Sequence, residues 1–206
     1  MEIIRDIEQG SQAWLDLRLG KVTASKVKDV LTNGRGSAIS KTAETYMFDL
    51  LSEILTGQPK SFFENDAMRW GTETEPQARA MYELLADVEV EEVAFIALNE
   101  HVGVSPDGLV GQDGLLEIKC PTTTTQLKRA MSDDYSADYK AQIQMQLWVS
   151  GRKWCDFVSF DPRLNCDAKY LIQRVERDEE YIKNMAEKVN AFVEELKAKV
   201  EFFTNE

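Results

Sequence analysis

Val104-Ser105-Pro106-Asp107-Gly108-Leu109-Val110, a short glycine-bounded turn, and then Leu115-Leu116-Glu117-Ile118-Lys119-Cys120 are the stretch on which the fold turns. Two apolar runs joined across Gly111-Gln112-Asp113-Gly114 predict a β-hairpin. Glu117 and Lys119 are two residues apart, so on a strand their side chains leave one face while Ile118 points to the other. Pro106-Asp107-Gly108 alone is only a turn signature, compatible with a structural and a functional role alike. The setting of the charged pair tips the balance, because Leu115, Leu116, Ile118 and Cys120 mark the strand as buried. An unpaired charge placed there costs on the order of several kcal/mol, comparable with the stability of a whole domain. Such groups stay inside when they are paired, hold a metal or do chemistry. Two carboxylates and an ammonium held together are equipped to bind a divalent cation and activate water, as a metal-dependent phosphodiesterase requires.

The chain has 206 residues, enough to bury a substantial core, and a single domain over 1–206 is expected. It has no apolar run of membrane-spanning length, and Met1-Glu2-Ile3-Ile4-Arg5-Asp6 lacks a leader pattern. A soluble, cytoplasmic protein without a membrane partner is therefore expected. Three scattered cysteines (Cys120, Cys155, Cys166) and one histidine, His101, fall short of the four ligands of a structural zinc or iron–sulfur site. They read as reduced core thiols.

A formal charge of −12 weighs at first against nucleic acid. The charge is uneven, however. Between Arg18 and Ala43 stand Arg18, Lys21, Lys26, Lys28, Arg35 and Lys41 against Asp29 alone, so this window carries +5 and the remainder −17. A basic face on an acidic body can bind DNA at one place, although a merely solvated helix face has the same composition.

Around the hairpin, periodicity predicts helices over Ser11–Leu19, Thr23–Leu31 (with Ser25 as a cap donor), Ala43–Leu55, Asn65–Leu85, Tyr139–Val149 and Asp178–Phe203. Strands are expected in Val88–Leu98, Val102–Val110, Leu115–Cys120, Asp156–Phe160 and Tyr170–Val175. Helices, a β core and a closing helix make an α/β class. Glu75, taken alone, is an ordinary surface glutamate. Gln142, Gln144 and Gln146 alternate on one helix, so Gln144 faces away from the other two, and residue physics does not choose among them.

Taken in order, Trp14-x-x-x-Arg18-Leu19-Gly20, Thr23-Ala24-Ser25, Trp70-Gly71 with Glu75, Ser105-Pro106-Asp107-Gly108-Leu109, Leu116-Glu117-Ile118-Lys119-Cys120-Pro121, Ala141-Gln142-x-Gln144, Trp148-Val149 and Asp161-Pro162-Arg163 resemble the lambda-exonuclease group of the YqaJ viral recombinase family. These nucleases have the PD-(D/E)XK fold. The resemblance runs from about Trp14 to Tyr181, and while a lone Asp…Glu-x-Lys is a weak signal, the ordered set is specific. It implies a restriction-endonuclease-like central mixed β-sheet flanked by helices.

The resemblance further implies that Asp107, Glu117, the Ile118 carbonyl and Glu75 ligate Mg²⁺ (or Mn²⁺), two ions per site. Lys119 would orient or deprotonate the attacking water, and Gln144 would be a supporting polar contact. Arg18, Ser25 and Ser105 would grip a 5′-phosphate with Trp14 packed beside them. Arg35 would contact DNA, and Met68, where the family has leucine, would wedge the terminal bases apart. The expected activity is 5′→3′ digestion of double-stranded DNA with 5′-phosphorylated ends, releasing mononucleotides and leaving 3′ tails for a single-strand annealing protein. The setting is phage or prophage recombination, with a homotrimer ring around the DNA. Two rivals remain: a structure-selective endonuclease of the same superfamily, and a non-catalytic DNA-end-binding recombination protein.

Overall fold

The computed structural model describes residues 1–34, 39–60 and 65–204. Strand β1 (Glu2–Ile4) leads into helix α1 (Gln12–Arg18), whose start is fixed by the Ser11 hydroxyl accepting the Trp14 N–H. Strand β2 (Val22–Thr23), a 3-10 turn over Ala24–Lys26 and helix α2 (Val27–Leu31) follow. The predicted second helix is thus split. Ser25 does not cap it but stands in the 3-10 turn, where its hydroxyl meets Arg18.

Two long helices come next. Helix α3 (Lys41–Thr56) is capped by Ser40 and stopped by Gly57 at φ 66°, a left-handed conformation that glycine adopts without strain. Helix α4 (Asp66–Ala86) is capped by Asn65. Then come strands β3 (Val90–Glu91), β4 (Phe95–Ala97), β5 (Val102–Val104), β6 (Gly108–Val110) and β7 (Gly114–Lys119). Helix α5 (Thr123–Ala130), a 3-10 turn at Ala137–Tyr139, helix α6 (Lys140–Ser150), strands β8 (Trp154–Phe160) and β9 (Tyr170–Glu176), and helix α7 (Glu179–Thr204) complete the described chain.

The mixed α/β class expected from the sequence is what forms. Its central sheet has the order β3-β6-β7-β8-β9, with β7 and β8 parallel and the other pairs antiparallel. Beside it stands a smaller mixed sheet, β1-β4-β5-β2. The run Val102–Val110 is therefore not one strand. It breaks at Ser105-Pro106-Asp107, so β5 pairs with β4 in the small sheet while β6 pairs with β7 in the large one. Proline cannot donate to a ladder, which makes this a natural point for the chain to change sheets.

The central sheet is covered on both faces. Leu116, Ile118, Val158 and Phe160 pack with Ala78 and Tyr82 of α4. Leu115, Cys155 and Phe157 join α6, α7, α2 and α3 through Ile143, Met145, Val189, Val27 and Met47. Alternation along β7 thus sends Ile118 to one core and Glu117 toward α6, as the spacing predicts. Among the described residues no helix is long and apolar enough to cross a membrane.

Candidate active site

Glu117 is fully buried, and its carboxylate is held from three sides. Oε1 accepts from Gln142 Nε2 at 2.6 Å and from the Lys119 ammonium; Oε2 accepts from Gln146 Nε2 at 2.7 Å. Gln142 and Gln146 are four apart on α6, so one helical face presents both amides. Asp107, at the start of the β6–β7 hairpin, takes the Ile118 N–H on Oδ2 at 2.6 Å, which ties it to the neighbouring strand. Glu75 arrives from α4, where Arg79 donates to it at 2.7 Å and also reaches Glu92.

The three carboxylates feel one another. Burial, and after it the Glu117 charge, pushes Asp107 well above the usual carboxylate range, with Lys119 only partly offsetting the rise. Burial also raises Glu75 despite Arg79 and Lys119. For Lys119 burial would lower the pKa, but Glu117 and Asp107 outweigh it and keep the ammonium protonated above its ordinary range.

Among the described residues no three His, Cys, Asp or Glu side chains converge as a ready-made metal cage: Glu75 is turned to Arg79, and Glu117 to Lys119 and the two glutamines. The chemistry of the donor set nonetheless fits a hard divalent cation. All the candidate donors are oxygens, and burial first, with neighbouring carboxylates after it, raises Asp107 and Glu75, a penalty that a cation would relieve.

A second cluster shares the same loop. The Ser105 hydroxyl accepts from Arg18 Nη1 and from Trp14 Nε1, both at 3.1 Å, and Trp14 Nε1 also reaches the Ala94 carbonyl. Arg18 Nη2 approaches Ser25 Oγ at 3.4 Å, and its guanidinium lies 4.2 Å from the Trp14 ring centroid. The four residues expected at a 5′-phosphate therefore come together from α1, the 3-10 turn and the loop after β5. Burial lowers the Arg18 pKa, and the hydroxyls beside the guanidinium are neutral. Gln9 steadies the loop from outside, donating to the Val93 and Pro106 carbonyls at 2.8 and 3.0 Å.

Other expectations fall differently. Gln144 does not reach the acidic cluster. Its Nε2 donates to the Glu176 carbonyl at 2.8 Å and its Oε1 accepts the Asp178 N–H at 2.9 Å, because it leaves the opposite side of α6. Met68 lies in the first turn of α4 and is 38% exposed. Arg35 lies outside the described residues. The sequence did not single out Arg79, and the glutamines that reach Glu117 are Gln142 and Gln146 rather than Gln144. The i, i+4 spacing of Gln142 and Gln146 was the available signal.

A family model described as the YqaJ-like viral recombinase domain matches residues 13–153. The alkaline exonuclease (LHK-Exo) of Laribacter hongkongensis is 42% identical, with 94% of this chain and 96% of that one covered at a TM-score of 0.85. Its complex with dAMP matches at 0.86 with the same identity and coverage. A phage-related exonuclease of Haemophilus somnus 129PT, 18% identical over 89% of this chain and 96% of that one, shares the fold at a TM-score of 0.70. No curated protein gives a significant match.

Proposed function

The chain belongs to the YqaJ-like viral recombinase domain family, and from that premise we propose that it is a metal-dependent exonuclease degrading duplex DNA 5′→3′ from a 5′-phosphorylated end. One observation carries the direction: Ser105 of the phosphate grip and Asp107 of the acidic cluster lie two residues apart on one loop. A 5′-phosphate held by Arg18, Ser25 and Ser105 places the nearby phosphodiester at the carboxylates. Arginine's fork suits the dianion, and indole packing keeps the guanidinium in place.

Asp107, Glu117, Glu75 and the Ile118 carbonyl would hold Mg²⁺, with Mn²⁺ as a substitute and two ions as the full complement; when bound, they supply positive charge to the reacting phosphoryl group. Gln142 and Gln146 fix the orientation of Glu117. Lys119 is held protonated, which suits it to orient the attacking water and offset charge on the phosphoryl oxygens.

The 3′ oxygen leaves, a mononucleotide departs, and the shortened strand keeps a 5′-phosphate that the Arg18 grip takes up again. The dAMP bound by the Laribacter enzyme supports a mononucleotide product. Met68 would separate the terminal pair and Arg35 would contact the duplex. Three copies in a ring would turn the basic window toward enclosed DNA. The 3′ tails left behind would pass to a single-strand annealing protein in phage-type recombination within a host cytoplasm.

Incubating 5′-phosphorylated linear duplex with Mg²⁺ tests the reading. Mononucleotides should accumulate, Lys119→Ala should stop their release, and Arg18→Ala should reduce the preference for 5′-phosphate over 5′-hydroxyl ends. Cleavage of a closed circle at a comparable rate would point to the endonuclease instead. DNA binding with no release at all would leave only end binding.

A further inference from the structure

Most arginines of this acidic protein are paired. Among the described residues Arg5, Arg69, Arg79, Arg163, Arg174 and Arg177 each form an ion pair with a carboxylate. Arg152 instead gives one nitrogen to the carbonyls of Val110, Gly111 and Gly114. Two remain, Arg18 of the phosphate grip and Arg129. In a chain with 36 acidic residues, an arginine with no carboxylate in ion-pair distance among the described residues is available to an outside anion.

Arg129 lies in the last turn of α5 and is half-buried. Its side-chain hydrogen bond runs from Nη1 to Ser159 Oγ at 2.5 Å, and the Ser159 O–H in turn donates to Gln126 Oε1. Ser159 is the register partner of Lys119 in the parallel β7–β8 pair, so Arg129 is anchored one strand away from the catalytic lysine. An aromatic shelf continues the connection. The guanidinium lies 5.3 Å from the Tyr139 ring centroid and 5.4 Å from that of Phe157, and the Lys119 ammonium lies 5.4 Å from the same Tyr139 ring. Tyr139 and Phe157 are themselves stacked at 5.2 Å.

Two cations therefore lean on one tyrosine, one committed to Glu117 and the other without a carboxylate. Two rings within cation–π reach and a single serine leave most of the five guanidinium N–H donors without a protein partner among the described residues. This is the arrangement of a prepared anion site.

We propose that Arg129 is a substrate-binding residue that holds a backbone phosphodiester of the DNA strand next to the one that is cut. The inference rests on the nuclease reading for the identity of the strand and on the unpaired guanidinium for the contact. It adds a second fixed phosphate to the one gripped by Arg18.

The test is duplex binding measured by fluorescence anisotropy over a range of NaCl concentrations without divalent ions, on wild type, Arg129→Gln and Arg129→Lys. A lost phosphate contact should make the log–log salt slope shallower by about 0.9 for Arg129→Gln, while Arg129→Lys keeps the wild-type slope. A role confined to packing would shift melting and leave the slope alone. If Arg129→Gln does not melt cooperatively, wild type alone decides the matter: bound duplex should protect Arg129 from phenylglyoxal, read by peptide mass, while Arg5 stays reactive. An unchanged slope, or an Arg129 modified equally with and without DNA, overturns the proposal and leaves the exonuclease reading intact if mononucleotides are still released. Wild type that binds no duplex overturns the proposal, and if it also releases no mononucleotide with Mg²⁺ the exonuclease reading falls with it.

Discussion

Three glutamines at alternate positions of α6 divide their work by helical geometry. Gln142 and Gln146 hold the two oxygens of Glu117, whereas Gln144 ties α6 to the junction of β9 and α7 through Glu176 and Asp178. A hydrogen bond to a buried carboxylate is worth about 1.5–3 kcal/mol, and loss of a group that orients a metal-binding residue costs about 10–100-fold in activity or affinity. Gln146→Ala should therefore lower kcat by about that factor with little change in duplex binding. Gln144→Ala should lower the melting temperature and leave kcat of the folded protein near wild type. The reverse pattern would return Gln144 to the active site. Sequence made the division into faces legible but did not show which face met β7. That depended on the side of the central sheet that α6 covers, a tertiary fact. Asp107, Glu117 and Lys119 were legible for a local reason, since charges inside an apolar strand announce themselves.

At the scale of elements, the long helices could be read because their caps and apolar stripes are local: Ser40 and Asn65 start α3 and α4, and Gly57 stops α3. Helix α5 could not, since it opens on three threonines behind a threonine cap, and their β-branched side chains disfavour helix. Tertiary contacts override that preference. The Thr122 side chain caps the helix, buried Gln126 donates to the Ser159 and Ala168 carbonyls, and Thr123 donates to Asp161 at 2.6 Å. Asp161 sits just past the end of β8 and also takes Arg163 Nε and Nη2 at 2.7 and 2.9 Å, which locks α5 beside the site. Burial would raise the Asp161 pKa, but Arg163 and Thr123 outweigh it and hold the carboxyl below its usual range. A depressed folded-state pKa gives stability that is present above the unfolded value and lost as pH falls through the folded one. Asp161→Asn should cost about 1.5 kcal/mol at neutral pH, toward the low end for a charged hydrogen bond because Arg163 is 46% exposed. This corresponds to about 3–6 °C in melting temperature for a chain of this size. The difference from wild type should shrink below about pH 4, where the unfolded chain takes up the proton, and vanish as pH falls through the lower folded value. A difference that stays constant with pH would assign the effect to shape alone.

For the whole molecule, the same linkage runs with the opposite sign at the acidic cluster. Asp107 and Glu75 are raised by burial first and by neighbouring carboxylates after it, so the unfolded chain releases their protons before the folded one does. Without a divalent ion, stability is then lost as pH rises from about 4, the ordinary carboxylate range, through the raised values. Asp107→Asn removes one of the repelling charges. In chelator at pH 8 it should melt above wild type, and near pH 4 the two should converge. Mg²⁺ should reverse the order by binding the folded wild type alone. At one hundred times the dissociation constant it adds about 2.7 kcal/mol, or about 5–11 °C. A body of net charge −12 responds to any salt through screening, so the comparison belongs at matched ionic strength, NaCl against MgCl₂. The part of the Mg²⁺ response that survives matching should vanish in Asp107→Asn. If wild type shows no such surplus, the carboxylates are not a cation site. If the variant shows an equal one, the ion binds elsewhere and the catalytic role given to Asp107 fails with it.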